Sequence, residues 1–150
     1  MSLPRAISVQ AGETPPCDET VSLTFRDRHR RRLLMKSSRG REFLLDLAKA
    51  QALADGDVLA LDDGSFLRVV ALDEAVIDIT ADDPDTLIRI AWHLGNRHLP
   101  TVVSAARLRI AEDHVIEEMV QGLGGQTERL LAPFQPEGGA YSHAHDTHDG

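Results

Sequence analysis

The chain has 150 residues, 42% apolar but only 4% aromatic, with 16 Lys and Arg against 24 Asp and Glu for a formal net charge of −8. That length holds one ordinary domain or two small ones, with a core of Leu, Val, Ile and Ala, and excludes large cofactor-binding architectures. No stretch approaches the roughly 18 consecutive apolar residues of a membrane helix, and MSLPRAISVQ lacks the apolar segment of a secretory signal, so a cytoplasmic protein with no membrane association is expected. The single cysteine, Cys17, lies in TPPCDET with no base beside it and reads as an incidental surface thiol. Residues 1–50 carry a net charge of +4 and residues 51–150 a net −12, which predicts two parts with different surfaces.

Residues 20–80 read as strands, because short apolar runs alternate with turn chemistry and no window sustains a helical stripe. The predicted strands are 21–25, 32–35, 42–47, 58–61 and 66–72. Asp62-Asp63-Gly64 predicts a tight hairpin, and Asp55-Gly56 and the Ser37-Ser38-Arg39-Gly40 string predict further turns.

From Ala75 the pattern changes. A strand, AVIDIT, precedes Asp83-Pro84, a capping carboxylate before a proline suited to the first helical turn. Leu87, Ile88, Ala91, Trp92 and Leu94 then form one predicted buried stripe, and Gly95-Asn96 offers residues for a left-handed cap. Short strands are predicted at 101–104 and 107–110. A second helix starts at Asp113 with Val115, Ile116, Met119, Val120 and Leu123 as its apolar face and Gly122 and Gly124 near its end, and a strand follows at 127–131.

The predicted fold class is therefore α+β: an N-terminal all-β domain over 1–74, a ferredoxin-like βαββαβ domain over 75–138, and a His-containing tail over 139–150 expected to be flexible. Two domains this small bury only about 60% of their unfolded surface, so further burial in a two-fold homodimer is expected.

Six of the seven histidines, His93, His98, His114, His143, His145 and His148, follow residue 90, and imidazole is the commonest neutral metal ligand. The tail string HAHDTH places three imidazoles near Asp146 and Asp149 on one short segment. Nitrogen and carboxylate ligands without thiolate suit nickel, copper or zinc, and the tail does not choose among them. His98 follows the first helix, where it could serve as a dipole partner or, near a two-fold axis, as half of a shared site. His114 stands at the start of the second helix, a position open to a neutral ligand or an ordinary surface residue. His93 reads as a packed helix residue.

The run Arg26-Asp27-Arg28-His29-Arg30-Arg31-Arg32 is the one argument for nucleic acid, and it lacks stacking aromatics beyond Phe25. It reads better as a solvated strand or a protein-docking face, with an adaptor or RNA-associated assembly factor as the alternative function. There is no G-x-S-x-G, phosphate-binding loop or H-E-x-x-H, so no enzyme is expected.

The segments LADGDVLALDDGSFLRVVALDE, WHLGNRHLP, DHVIEEMVQGLG and APFQPEGGAY, followed by the His-bearing tail, together resemble the UreE family of urease accessory proteins, which are nickel metallochaperones. The resemblance implies an N-terminal docking domain and a C-terminal ferredoxin-like domain that dimerises. Ni²⁺ would be carried as cargo, with Zn²⁺ or Cu²⁺ as competitors. The partners implied are the urease accessory GTPase and the apo-urease maturation complex, with no nucleic acid. The principal ligand would be His98 from both subunits, with His114 at a secondary site and His143, His145 and His148 completing the shell. Glu112 stands where some relatives have another histidine.

Overall fold

A computed structural model describes residues 2–10 and 15–136, and the chain divides into two compact units between Leu72 and Asp73. The first is all-β, as its sequence predicts, with six strands among its described residues: β1 (Arg5–Val9), β2 (Thr20–Leu23), β3 (Arg32–Lys36), β4 (Glu42–Asp46), β5 (Val58–Leu61) and β6 (Phe66–Ala71). Their order in the sheet is β2-β6-β5-β1-β4-β3. Alternation puts Val21, Leu23, Met35, Phe43, Leu45, Leu59, Leu61, Leu67 and Val69 into one core.

β1 is absent from the predicted strands, yet it joins the two halves of the sheet, running parallel to β4 and antiparallel to β5. Its only fully buried side chain is Ala6 and its Ile7 is exposed, so its apolar signal is too weak to read without the partners. The predicted hairpin at Asp62-Asp63-Gly64 forms: Gly64 takes φ +88°, and the Leu61 N–H donates to the Ser65 carbonyl at 2.9 Å. The buried Glu19 carboxylate accepts from the Ser37 hydroxyl and from Arg41 Nη2 at 2.9 Å. Arg41 Nη1 also donates to Asp63 Oδ2 at 2.9 Å, tying both hairpins together.

Only Arg32 of the basic run lies on a strand, and the run is not uniformly solvated. Asp27–His29 form a short 3-10 turn, in which Arg28 is 2% exposed and its Nη1 donates to the Leu53 carbonyl at 3.2 Å. His29 Nδ1 lies 2.8 Å from the Phe25 carbonyl oxygen. Arg26, Arg30, Arg31 and Arg32 remain exposed.

The second unit runs β7 (Asp73–Thr80), α1 (Pro84–Asn96), β8 (Val102–Val103), β9 (Leu108–Ala111), α2 (His114–Gly122) and β10 (Gln126–Pro133). Its sheet order, β10-β7-β9-β8 with antiparallel pairing throughout, is the ferredoxin-like arrangement. Ile77 and Ile79 on β7 and Leu108 and Ile110 on β9 pack against Ile90 and Leu94 of α1 and Ile116 and Val120 of α2. Each such side chain, fully buried, contributes about 2 kcal/mol.

The predicted stripe on α1 includes two outward residues and misses the buried Ile90. Ile90 and Leu94 are buried, and Leu87 and Ala91 partly so, whereas Ile88 and Trp92 are 66% and 65% exposed. On α2 Val115 also faces outward. A lone helix pattern marks these positions as apolar but cannot tell an inward from an outward apolar edge.

Candidate metal centre

His98 follows directly from how α1 starts and stops. At the start, Asp83 Oδ1 accepts the Thr86 N–H at 2.7 Å, and Pro84 occupies the first turn. At the stop, Gly95 and Asn96 stay helical instead of forming the left-handed cap. That conformation falls on His98, at φ +57°, the one non-glycine residue with positive φ among the described residues. The Leu99 N–H donates to the Leu94 carbonyl at 3.1 Å and the His98 N–H to the Gly95 carbonyl at 3.0 Å, the bonding pattern of a Schellman cap.

α2 closes with the same pattern. The Gly125 N–H donates to the Val120 carbonyl at 2.9 Å and the Gly124 N–H to the Gln121 carbonyl at 3.1 Å, with Gly124 at φ +99°. The left-handed position is thus glycine in one helix and histidine in the other. A side chain with a Cβ costs about 1–2 kcal/mol there, and such strain at one residue is a pointer to function. The His98 side chain is exposed.

His114 opens α2, where Asp113 caps the helix by accepting the Val115 and Ile116 N–H groups at 3.0 and 3.1 Å. Its Nε2 lies 3.2 Å from Glu118 Oε1, one turn along the same exposed face. His93 is half-buried in α1, and its ring meets Trp92 edge-on at 5.1 Å between centroids. His143, His145 and His148 lie outside the described residues. Among the described residues, no three His, Cys, Asp or Glu side chains come together to hold an ion.

A charged cluster on the sheet was not among the expected site residues. Asp78 on β7 is buried and accepts Arg109 Nε at 2.6 Å, Arg109 Nη2 at 3.0 Å and Arg107 Nη1 at 2.7 Å. The hydrogen bonds from Arg109 come first among the effects that hold its carboxyl below the ordinary range. Register places Asp78 opposite Arg109, on the sheet face away from the helices. Glu117 of α2 similarly takes Arg129 Nη2 at 2.5 Å, and that hydrogen bond lowers its pKa. Both clusters pair a buried carboxylate with arginine.

The family model for the UreE urease accessory protein C-terminal domain matches residues 74–150, and the one for the N-terminal domain matches residues 4–72. The chain belongs to the UreE family. The two UreE segments meet at the division between the structural units. A urease accessory protein UreE of Rhodopseudomonas palustris strain BisB18 is 59% identical over 132 residues, covering 87% of this chain and 63% of that relative. The same-named protein of strain HaA2 is 56% identical over 131 residues, covering 87% of this chain and 61% of the relative. One from Chelativorans sp. strain BNC1 is 46% identical over 145 residues, covering 96% and 91%. The chain thus spans about 61 to 63% of the length of the two R. palustris relatives and nearly all of the third. No helix among the described residues is long and apolar enough to cross a membrane.

Proposed function

We propose that the chain is a cytoplasmic nickel metallochaperone of urease maturation. It holds Ni²⁺ as cargo between two subunits and passes it to the apo-urease maturation complex, which includes the accessory GTPase. Membership of the UreE family supports the role. The left-handed, exposed His98 is the observation that carries the site. One chain's described residues bring no three ligands together, so a complete shell draws on a second His98 and on His143, His145 or His148.

The outward apolar edge of α1 supports the same geometry. Ile88 and Trp92 lie one turn apart on the helix that leads into His98, so two copies paired along this face would bury both side chains and bring the two imidazoles toward one axis. The reaction is ligand exchange. Nitrogen and oxygen donors suit Ni²⁺, and a shell of exchangeable imidazoles lets a recipient's ligand replace one donor at a time. His114 with Glu118 forms a weaker surface pair. Zn²⁺ and Cu²⁺ would compete for the same donors.

The test is activation of apo-urease by the nickel-loaded protein in the presence of a chelator that strips free Ni²⁺. Wild type is expected to restore urease activity and His98→Ala to fall to the level without chaperone. Equal activation by His98→Ala would refute the assignment.

A further inference from the structure

We infer that Leu99 is a positioning residue for His98, fixing the direction of the imidazole before metal arrives. The inference rests on the reading of His98 as the shared ligand. A left-handed cap built on glycine needs little support: α2 closes on Gly124 with Gly125 after it, and Gly125 has no side chain to pack. α1 closes on His98, which resists that conformation, and its next residue is Leu99, packed against the core that contains Leu94. The two leucines are the residues that a Schellman cap brings into apolar contact, and the Leu99 N–H donates to the Leu94 carbonyl at 3.1 Å.

The exit is held as well. Pro100 bars its predecessor from helical backbone, and the Thr101 hydroxyl donates to the Leu99 carbonyl at 2.9 Å. Burial of one leucine side chain therefore offsets the strain stored one residue earlier. Without it, His98 is free to return to ordinary backbone, and that turns its Cα–Cβ bond away from the direction the cap imposes. Residues that orient a ligand without touching the metal commonly change affinity by about 10- to 100-fold when altered.

The experiment compares wild type, Leu99→Ala, Leu99→Met, Leu87→Ala and His98→Ala as full chains, with NiCl₂ titration calorimetry, thermal unfolding and amide hydrogen exchange. Leu87 packs against the same core from the other end of α1, so it controls for loss of stability alone. Leu99→Ala is expected to bind Ni²⁺ about tenfold more weakly and to lose protection at the Leu99 amide. Leu99→Met is expected to recover most of the affinity, and Leu87→Ala to melt earlier while binding as wild type does. Wild-type affinity in Leu99→Ala, or an equal loss in Leu87→Ala, would overturn the positioning role while leaving His98 as the ligand. Retention of the tight site in His98→Ala would overturn that reading and the positioning role together.

Discussion

At the scale of single residues, His98 pays a conformational cost that Gly124 avoids in the same kind of cap. Replacing His98 with Gly should therefore raise stability by about 1 kcal/mol while removing the proposed shared ligand. Thermal unfolding and nickel titration on His98→Gly check both halves: a melting temperature a few degrees higher together with loss of tight binding is the expected pair. A lower melting temperature would show that the left-handed backbone carries no strain. The GNRH string already marked His98 in the sequence, but not its backbone. Gly95 and Asn96 are better left-handed formers by type, yet the cap falls three residues beyond Gly95, where the following Leu99 packs against the core.

At the scale of elements, the β7–β9 pairing turns a charge inside an apolar strand into a structural anchor. Asp78 interrupts AVIDIT, and a single strand gives no reason for it. Once the register sets it opposite Arg109, with the exposed Arg107 two residues earlier, the buried carboxylate is paired with two arginines. Asp78→Ala leaves the largely buried Arg109 side chain without its counter-charge and should cost about 3 kcal/mol, measured by denaturant unfolding. Because hydrogen bonds from Arg109 depress the folded pKa, the stabilisation is complete above the ordinary Asp value of 3.8 and disappears as pH falls through the lower folded value. Acid unfolding of Asp78→Asn should accordingly show a shallower dependence on pH below about 4. A slope equal to that of wild type would argue against the cluster's role.

The same scale shows what the sequence pattern could and could not disclose. Capping residues and periodicity located both helices, since Asp83-Pro84 and Asp113 act locally. β1 escaped because a central strand with one buried alanine is defined by its neighbours. The outward faces of Ile88 and Trp92 escaped for a related reason: amphipathicity reports how apolar a side of a helix is, and only the packed core shows which side is inward. These two residues give a further prediction. Trp92→Ser should weaken self-association, seen as a concentration-dependent fall in mass by sedimentation, with little loss of secondary structure. Unchanged mass at low concentration would argue against the proposed dimer face on α1.

For the whole molecule, the chain joins an all-β unit with a largely basic surface run to a ferredoxin-like unit that holds His98 and His114. Ending the chain at Tyr141 removes His143, His145 and His148 and should change capacity or affinity while the proposed His98 site persists. Metal affinity should fall in acid, because protons compete for the imidazole nitrogens. The most direct measurement is nickel titration calorimetry on wild type and His98→Ala with the mass determined in parallel. One tight Ni²⁺ per dimer, absent in His98→Ala at unchanged dimer mass, is the predicted result; a tight site that survives in His98→Ala would contradict it.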